Sequence, residues 1–105
     1  MGTTKAKIFS YSQLRKAKLA RALGHPARIA ILEYLSAHTW CSTRNLTSEI
    51  SLSQSTLAQH LKLLKAAGLL NVMIVGKETC YFINDAIWDE EGFTLEIFER
   101  CISIK

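Results

Sequence analysis

The chain has 105 residues, 49% of them hydrophobic and 21% charged, which suits one small domain spanning residues 1–105. No apolar run is long enough to cross a bilayer, and the basic N-terminus lacks the apolar stretch of a signal peptide, so we expect a cytoplasmic protein with no membrane partner. The three cysteines lie far apart, which excludes a disulfide framework and a paired Cys-x-x-Cys metal site.

The net charge of +4 conceals an asymmetry along the chain. Residues 1–65 carry ten lysines and arginines against two glutamates, a net charge of +8, whereas residues 66–105 carry three against seven carboxylates, a net charge of −4. A basic segment of this size favours a nucleic acid or another anionic surface as partner. A solvated basic face is the alternative.

The N-terminal part of the chain predicts a flexible arm followed by two helices. Residues 1–9 are basic and show no periodicity, whereas residues 10–23 place apolar side chains at helical spacing. Gly24 ends this first helix, and Pro26 suits the first turn of a second helix, which is followed by a connection at residues 38–41. The apolar residues of the two helices are Leu14, Ala17, Leu19 and Leu23, then Ala27, Ile31, Leu32 and Leu35.

Residues 43–67 predict a helix-turn-helix. Ser42 can cap a short third helix, roughly 43–49, because a serine hydroxyl accepts a hydrogen bond from an N–H group that the first turn leaves unpaired. Ser53 can cap a fourth helix in the same way, and Gly68 suits the left-handed residue that follows a helix. Two short helices joined by so tight a turn form a helix-turn-helix.

The fourth helix, residues 54–67, has two contrasting faces. At helical spacing, one stripe is apolar and consists of Leu57, Leu61 and Leu64. The stripe on the roughly opposite side is polar and consists of Ser55, Gln59 and Lys62. No aspartate or glutamate occurs anywhere between residues 50 and 77. A helix with this polar face is suited to an anionic partner.

The sequence after the fourth helix predicts a β-hairpin, or wing, at residues 69–83. Branched residues at 69–75 predict one strand, 76–78 a turn and 79–83 a second strand. Lys77 at the tip is placed to contact a phosphate, although hairpin tips are commonly charged for solubility alone. The predicted fold is mainly α with a small antiparallel β-hairpin, a winged helix-turn-helix.

Residues 86–104 predict a last helix with two apolar stripes, an arc too wide for one small domain to cover. A second copy of the chain would cover the remainder, so we predict a symmetric homodimer in which the helices at 10–23 and 86–104 meet their partners. The predicted interface residues are Leu14, Phe93, Ile97, Phe98, Cys101 and Ile102.

Three segments resemble the ArsR (arsenical-resistance repressor, or ArsR/SmtB) winged-helix transcriptional regulators. They are ALGHPARIAILEYL at 22–35, LSQSTLAQHLKLLKAAGLL at 52–70 and VGKETCYFIN at 75–84. Members of that family are homodimeric DNA-binding repressors that release operator DNA when an effector binds. The resemblance implies that six residues face the major groove or its flanking phosphates: Ser53, Gln54, Ser55, Thr56, Gln59 and His60.

The chemistry of these side chains agrees with that implication. Glutamine can pair with adenine edges, and serine and threonine hydroxyls can bond to bases or phosphates. Lys62 and Lys65 can contact phosphates. Ser53 can act as a helix cap alongside a phosphate contact. For His60 the alternative is a packed, partly buried imidazole near the turn.

The family resemblance also implies metal sites that this sequence lacks. Many members bind metal through a Cys-x-Cys pair at the start of the third helix, where this chain has Ser42 and Arg44, and neither is a soft-metal ligand. Others use Asp and His ligands on the last helix, but residues 86–104 contain no histidine. We therefore predict no metal and no other cofactor.

Thiol sensing stays open as an alternative. Some relatives sense oxidants with one cysteine in the second helix and one in the last. Cys101 matches the latter, but the former position is Glu33 in this chain. A pair formed by Cys41 and Cys101 across a dimer is the redox alternative. A small-molecule effector is another, and the sequence identifies neither.

We predict a dimeric, sequence-specific DNA-binding transcriptional regulator, a repressor, that reads the major groove of double-stranded operator DNA with helix 54–67. The alternative is a winged-helix protein-interaction module in which Ser55, Gln59 and Lys62 contact an acidic partner. We do not expect an enzyme, because the sequence offers no plausible nucleophile–base arrangement, no glycine-rich phosphate loop and no paired carboxylates in an apolar setting.

Overall fold

The computed structural model describes residues 8–86, which form four helices and a three-stranded antiparallel sheet. In chain order the elements are α1 (Tyr11–Ala22), α2 (Pro26–Ser36), β1 (Cys41–Ser42), α3 (Thr43–Ile50), α4 (Gln54–Ala66), β2 (Leu70–Val75) and β3 (Glu78–Ile83). The predicted mainly helical fold with an antiparallel hairpin is confirmed. Within the described part of the chain, no helix combines the length and apolar character needed to cross a bilayer.

Two regions of the predicted organisation lie outside the described residues. They are the arm up to residue 7 and the predicted last helix from residue 87 onward. The second region contains five of the predicted dimer-interface residues, Phe93, Ile97, Phe98, Cys101 and Ile102.

The helix starts follow from local hydrogen bonding. Ser10 caps α1 in a capping box, in which Ser10 Oγ accepts from the Gln13 N–H at 3.1 Å and Gln13 Oε1 accepts from the Ser10 N–H at 2.9 Å. At α2, His25 Nδ1 accepts from the Ala27 N–H at 3.0 Å, and Pro26 occupies the first helical position. The predicted break between these two helices is confirmed.

Caps define both ends of α3 and the start of α4. Ser42 Oγ accepts from the Asn45 N–H at 3.2 Å at the start of α3, as the sequence predicts. Ser51 ends α3 in the left-handed conformation, with φ of 64°. A residue other than glycine in this conformation is uncommon, and it lets the chain reverse within three residues before Ser53 caps α4.

The end of α4 is a Schellman motif. Gly68 is left-handed with φ of 86°, and its N–H donates to the Lys65 carbonyl at 2.9 Å. The Leu69 N–H donates to the Leu64 carbonyl at 3.0 Å. From the far end of the wing, Asn84 Nδ2 donates to the Gly68 carbonyl at 2.9 Å. The predicted role of Gly68 is confirmed, and the wing is attached to α4 at both of its ends.

The sheet has the order β1-β3-β2, so β2 is an edge strand and β3 is central. Val75 and Glu78 face each other across the β2–β3 hairpin, which leaves a two-residue turn of Gly76 and Lys77. Gly76 has φ of 66°, as the first position of a type II′ turn requires. The turn is therefore one residue shorter than the predicted 76–78.

Strand β1 corrects the end of the connection predicted at residues 38–41, because Cys41 belongs to the strand while residues 38–40 form the connection. Cys41 pairs with Tyr81, and Ser42 pairs with Cys80. Two residues are too few to show the alternation by which a strand is recognised in sequence. The strand exists because the chain lies alongside β3, which is a tertiary effect.

The core lies between the helices and is built on the apolar stripe of α4. Leu57, Leu61 and Leu64 expose no more than 1% of their surface, which confirms the predicted stripe. They share one cluster with apolar residues from the other described elements: Leu19, Ala22, Ile31, Leu32, Leu35, Cys41, Leu46, Ala67, Leu69 and Leu70. In contrast, Leu14 on α1 remains 40% exposed.

We expect Leu61→Ala to lower the free energy of unfolding by about 2–5 kcal/mol, because it removes most of a fully buried side chain and leaves a cavity. Urea unfolding followed by circular dichroism measures this decrease. Leu63→Ala, at a half-buried site on the same helix, is the matched control and should cost clearly less. Equal decreases for the two variants would contradict a core centred on Leu61.

Candidate nucleic-acid interface

The polar stripe of α4 faces solvent because its apolar stripe is fixed in the core. Eight of the nine residues predicted to bind DNA are exposed, which makes them available to a partner: Ser53, Gln54, Ser55, Thr56, Gln59, Lys62, Lys65 and Lys77. The structure brings the first seven together on α4 and its cap, and it places Lys77 on the wing. The ninth, His60, is half-buried.

Hydroxyl groups are concentrated at the start of α4. Ser53 Oγ accepts from the Thr56 N–H at 3.2 Å and donates to Thr56 Oγ1 at 2.9 Å. Ser53 Oγ also lies 3.4 Å from Ser55 Oγ. These three hydroxyls sit at the positive end of the helix dipole, where a phosphate is stabilised. The cap predicted for Ser53 is confirmed.

A second polar surface lies between α3 and the start of α4. A groove of about 380 Å³ is lined by Thr43, Arg44, Thr47, Ser48 and Gln54. Arg44 Nη2 is 3.8 Å from Glu78 Oε2 in an exposed pair, which contributes little to stability. The Arg44 guanidinium is therefore available to an anion beside Gln54. In the sequence, Arg44 was considered only as the residue that replaces a metal-binding cysteine. A cation on the first helix of a helix-turn-helix could also have indicated a contact with an anion.

His60 belongs to a junction that sequence reasoning missed. Arg28 of α2 donates through Nε to the Ala22 carbonyl at 2.8 Å and through Nη2 to the Arg21 carbonyl at 3.2 Å. Its Nη1 lies 3.1 Å from His60 Nδ1. The rings of His60 and His25 are 4.5 Å apart between centroids. One guanidinium thus joins the end of α1 to α4, and no periodicity in the sequence signals such a contact.

The environment of His60 favours its neutral form. Partial burial lowers its pKa from the ordinary value of 6.5, and the nearby His25 and Arg28 act in the same direction. The structure thus supports the alternative of a packed imidazole, and a DNA contact by His60 stays a prediction. In this packed position His60 helps to set the orientation of α4.

The wing presents one cation beside apolar side chains. Lys77 is exposed at the hairpin tip, next to Gly76. Ile74 and Val75, at the end of edge strand β2, are 66% and 42% exposed. Near its tip the wing is fixed to the start of α3, because Thr43 Oγ1 donates to the Thr79 carbonyl at 3.2 Å.

The cysteines of the described region are buried in the small sheet. Cys41 and Cys80 are free thiols with 3% and 1% of their surface exposed. Burial raises the pKa of Cys41 above its ordinary value, outweighing a hydrogen bond with Tyr34 that lowers it. A protonated, buried thiol is a weak nucleophile. The pairing of Cys41 with Cys101 stays a prediction, since Cys101 lies outside the described residues.

The two positions of the family's Cys-x-Cys pair have other roles in this chain. Ser42 caps α3, and Arg44 faces Glu78. Among residues 8–86, no three His, Cys, Asp or Glu side chains are grouped closely enough to hold a metal ion.

Helix α4 is capped and faces solvent, a tight turn joins it to α3, and an antiparallel hairpin follows it. These features define a winged helix-turn-helix protein. Residues 23–72 match the model of a helix-turn-helix domain family. The transcriptional repressor SmtB of Mycobacterium tuberculosis is 38% identical over 68 residues, which cover 65% of this chain and 50% of SmtB. The chain thus spans about half the length of that relative.

Solved structures extend the comparison over most of the chain. Rv0081 of M. tuberculosis is 30% identical with a TM-score of 0.69, covering 90% of this chain and 96% of that one. An ArsR-like transcriptional regulator from Rhodococcus sp. RHA1 is 27% identical with a TM-score of 0.73, covering 87% and 85%. The chain belongs to the ArsR/SmtB-type family of winged-helix transcriptional regulators, which are not enzymes.

We expect the stability of the protein to fall as the pH decreases through about 6.5, because the unfolded chain then takes up a proton at His60 that the folded chain resists. Above this pH both states carry neutral His60, and its contribution to the pH dependence vanishes. His60→Gln should flatten the decrease, as measured by urea midpoints between about pH 5.5 and 7.5.

His38→Gln is the matched control, because it replaces an exposed histidine at the other end of α2 and leaves the His60 junction in place. It should retain the part of the decrease that His60 causes. An unchanged slope in His60→Gln would show that this imidazole does not link pH to folding.

Proposed function

We propose that this chain is a sequence-specific DNA-binding repressor that reads the major groove with α4. The observation that carries the proposal is the exposed polar stripe Ser55, Gln59 and Lys62 on a helix whose opposite side is anchored in the core. The segment from residue 50 to 77 has no carboxylate to repel a phosphate. An α-helix fits the width of the major groove, and this one has both its ends capped.

The proposed roles divide between base reading and phosphate contact. Gln59 can bond to both N6 and N7 of an adenine, and Ser55 can bond to a neighbouring base edge or phosphate. Lys62 and Lys65 can neutralise phosphates along one side of the groove, and Lys77 can do so from the wing. Ser53, Gln54 and Thr56 would hold the phosphate at the start of α4.

We also propose that the protein acts as a symmetric homodimer. Leu14 is 40% exposed on α1, and Ile8, Phe9 and Tyr11 just before it are exposed as well. Apolar side chains exposed together on a small domain mark an interaction surface. The apolar stripes in the sequence of residues 86–104 supply the matching half. Two copies would present two α4 helices to half-sites about one helical turn apart.

The proposed domain organisation follows from these roles. Residues 1–105 act as one winged-helix domain with an N-terminal arm at 1–9. Residues 43–67 read DNA, 69–83 form the wing, and 10–23 with 86–104 join the two copies. Repression is proposed because the relative SmtB is named a transcriptional repressor. A dimer that occupies promoter DNA would block transcription, and an effector would act by changing its affinity for that DNA.

Gln59→Ala should weaken binding to the cognate site by about 1–3 kcal/mol while leaving binding to unrelated DNA nearly unchanged, because the amide contributes base readout rather than charge. Titration of fluorescent DNA from upstream of the protein's own gene, against a shuffled duplex, measures both affinities. Thr39→Ala, at an exposed position in the loop after α2, is the control and should leave both unchanged. Equal weakening on both duplexes would remove Gln59 from base reading.

Leu14→Glu should raise the dimer dissociation constant at least tenfold, which corresponds to about 1.4 kcal/mol, because a charge would be buried between the two copies. Sedimentation equilibrium measures this constant. Thr39→Glu adds the same charge at an exposed site distant from α1 in sequence and should leave the dimer intact. A wild-type protein that sediments as a monomer at micromolar concentration would contradict the proposed dimer.

A further inference from the structure

A groove runs beside the polar stripe of α4, between that helix and α1, and has a volume of about 350 Å³. Its rim carries Lys18 and Arg21 from α1 and Gln59 and Lys62 from α4. Its other lining residues are the apolar Leu63, Ala66 and Ala67. We call it the α1–α4 groove.

The positive charge of the groove lining suits an anionic ligand. Among the described residues, its lining contains three cations and no carboxylate, and Lys18, Arg21 and Lys62 are all exposed. The other lining side chains are apolar, so they offer no charge that would neutralise these cations. Lys18 and Arg21 are three residues apart on α1, which places them on the same side of that helix. Together with Lys62 they present positive charge from two helices to one space.

The two walls of the groove are fixed relative to each other. Near the C-terminal end of α4, Arg15 Nη1 donates to the Ala67 carbonyl at 3.1 Å. At the end of α1, the Arg28 guanidinium donates to the Arg21 carbonyl and contacts His60 of α4. Two arginines therefore hold α1 against α4 on either side of the groove. The helix positions that carry the cations therefore need little reorganisation when a ligand binds.

The groove is continuous with the stripe proposed to enter the major groove. Gln59 and Lys62 belong to both surfaces, so a duplex bound along Ser55, Gln59 and Lys62 reaches the rim of the groove. The anion that such a duplex brings next to Lys62 is a backbone phosphate. A phosphate is also the anion for which arginine and lysine are both well suited.

We propose that the α1–α4 groove binds backbone phosphates of the same DNA that α4 reads, so that α1 is part of the DNA interface through Lys18 and Arg21. This inference rests on the proposed function. It adds about two phosphate contacts per protomer to those from α4 and the wing. These contacts supply affinity without sequence preference, because phosphates are the same at every base pair.

The test is the salt dependence of DNA binding by three variants of the full-length protein: Lys18→Gln, Arg21→Gln and Lys16→Gln. The slope of log affinity against log salt concentration is negative, and its magnitude should decrease by about 0.9 for each phosphate contact that a substitution removes. The slope should therefore become shallower for Lys18→Gln and Arg21→Gln, and the ratio of specific to unrelated DNA affinity should stay unchanged.

Lys16→Gln is the matched control, because it removes the same charge from α1 outside the groove lining. It should keep the wild-type slope. An equal decrease for Lys16→Gln would show that the effect comes from the overall charge of α1 and would overturn the assignment to the groove. Thermal unfolding of each variant confirms that a changed slope does not reflect a loss of fold.

The results separate this inference from the proposed function. If all three variants keep the wild-type slope while Gln59→Ala still loses specificity, the groove does not bind DNA phosphates and the proposed function stands. If wild-type protein shows neither salt-dependent nor specific binding, the proposed function fails and the inference fails with it.

A free molecule that carries a phosphate is the alternative ligand for the α1–α4 groove. Pyrophosphate is therefore titrated into the protein–DNA complex at constant ionic strength, with sulfate as the comparison. Under the proposal pyrophosphate releases DNA no more effectively than sulfate. If micromolar pyrophosphate releases DNA from the wild type but not from Arg21→Gln, the groove is a free-anion site and its assignment to DNA is overturned.

Discussion

The two-sided character of α4 is the constraint on which the rest of the structure depends. Leu57, Leu61 and Leu64 are fully enclosed by the core, so the helix cannot rotate about its axis without exposing them. Burial of one such side chain contributes about 1.5–3 kcal/mol, which makes a rotated helix far less stable. The opposite side must therefore face solvent, and its composition decides which partner it meets.

Two arginines fix the position of α1 relative to α4. Arg28 joins the end of α1 to His60, and Arg15 joins α1 to the carbonyl that follows α4. Both use charge-assisted hydrogen bonds, which are stronger than neutral ones. As a result, the backbone positions that carry the cations of α1 are held relative to the polar stripe of α4. The wing is held in a similar way, because Thr43 bonds to β3 and Asn84 bonds to the end of α4.

Local features of the fold could be predicted from the sequence, and tertiary ones could not. Ser42, Ser53 and Gly68 were predictable because a cap acts within a few residues of its own helix. Strand β1 was not, because Cys41 and Ser42 become a strand only beside β3. The junction of Arg28 with His60 spans thirty-two residues of sequence, and no local pattern reveals such a pairing.

The same division applies to the candidate site. The polar stripe of α4 follows from helical periodicity, so the spacing of Ser55, Gln59 and Lys62 is enough to place them on one face. The α1–α4 groove needs the packing of two helices, which charge counting over residues 1–65 cannot reveal.

The central claim is that α4 enters the major groove of DNA. Methylation interference on the DNA upstream of the protein's own gene tests it directly, since dimethyl sulfate modifies guanine N7 in the major groove and adenine N3 in the minor groove. We expect guanine N7 methylation to block binding in two clusters about 10 base pairs apart, one for each α4 of a dimer. Interference confined to adenine N3, or the absence of any interference, would contradict the claim.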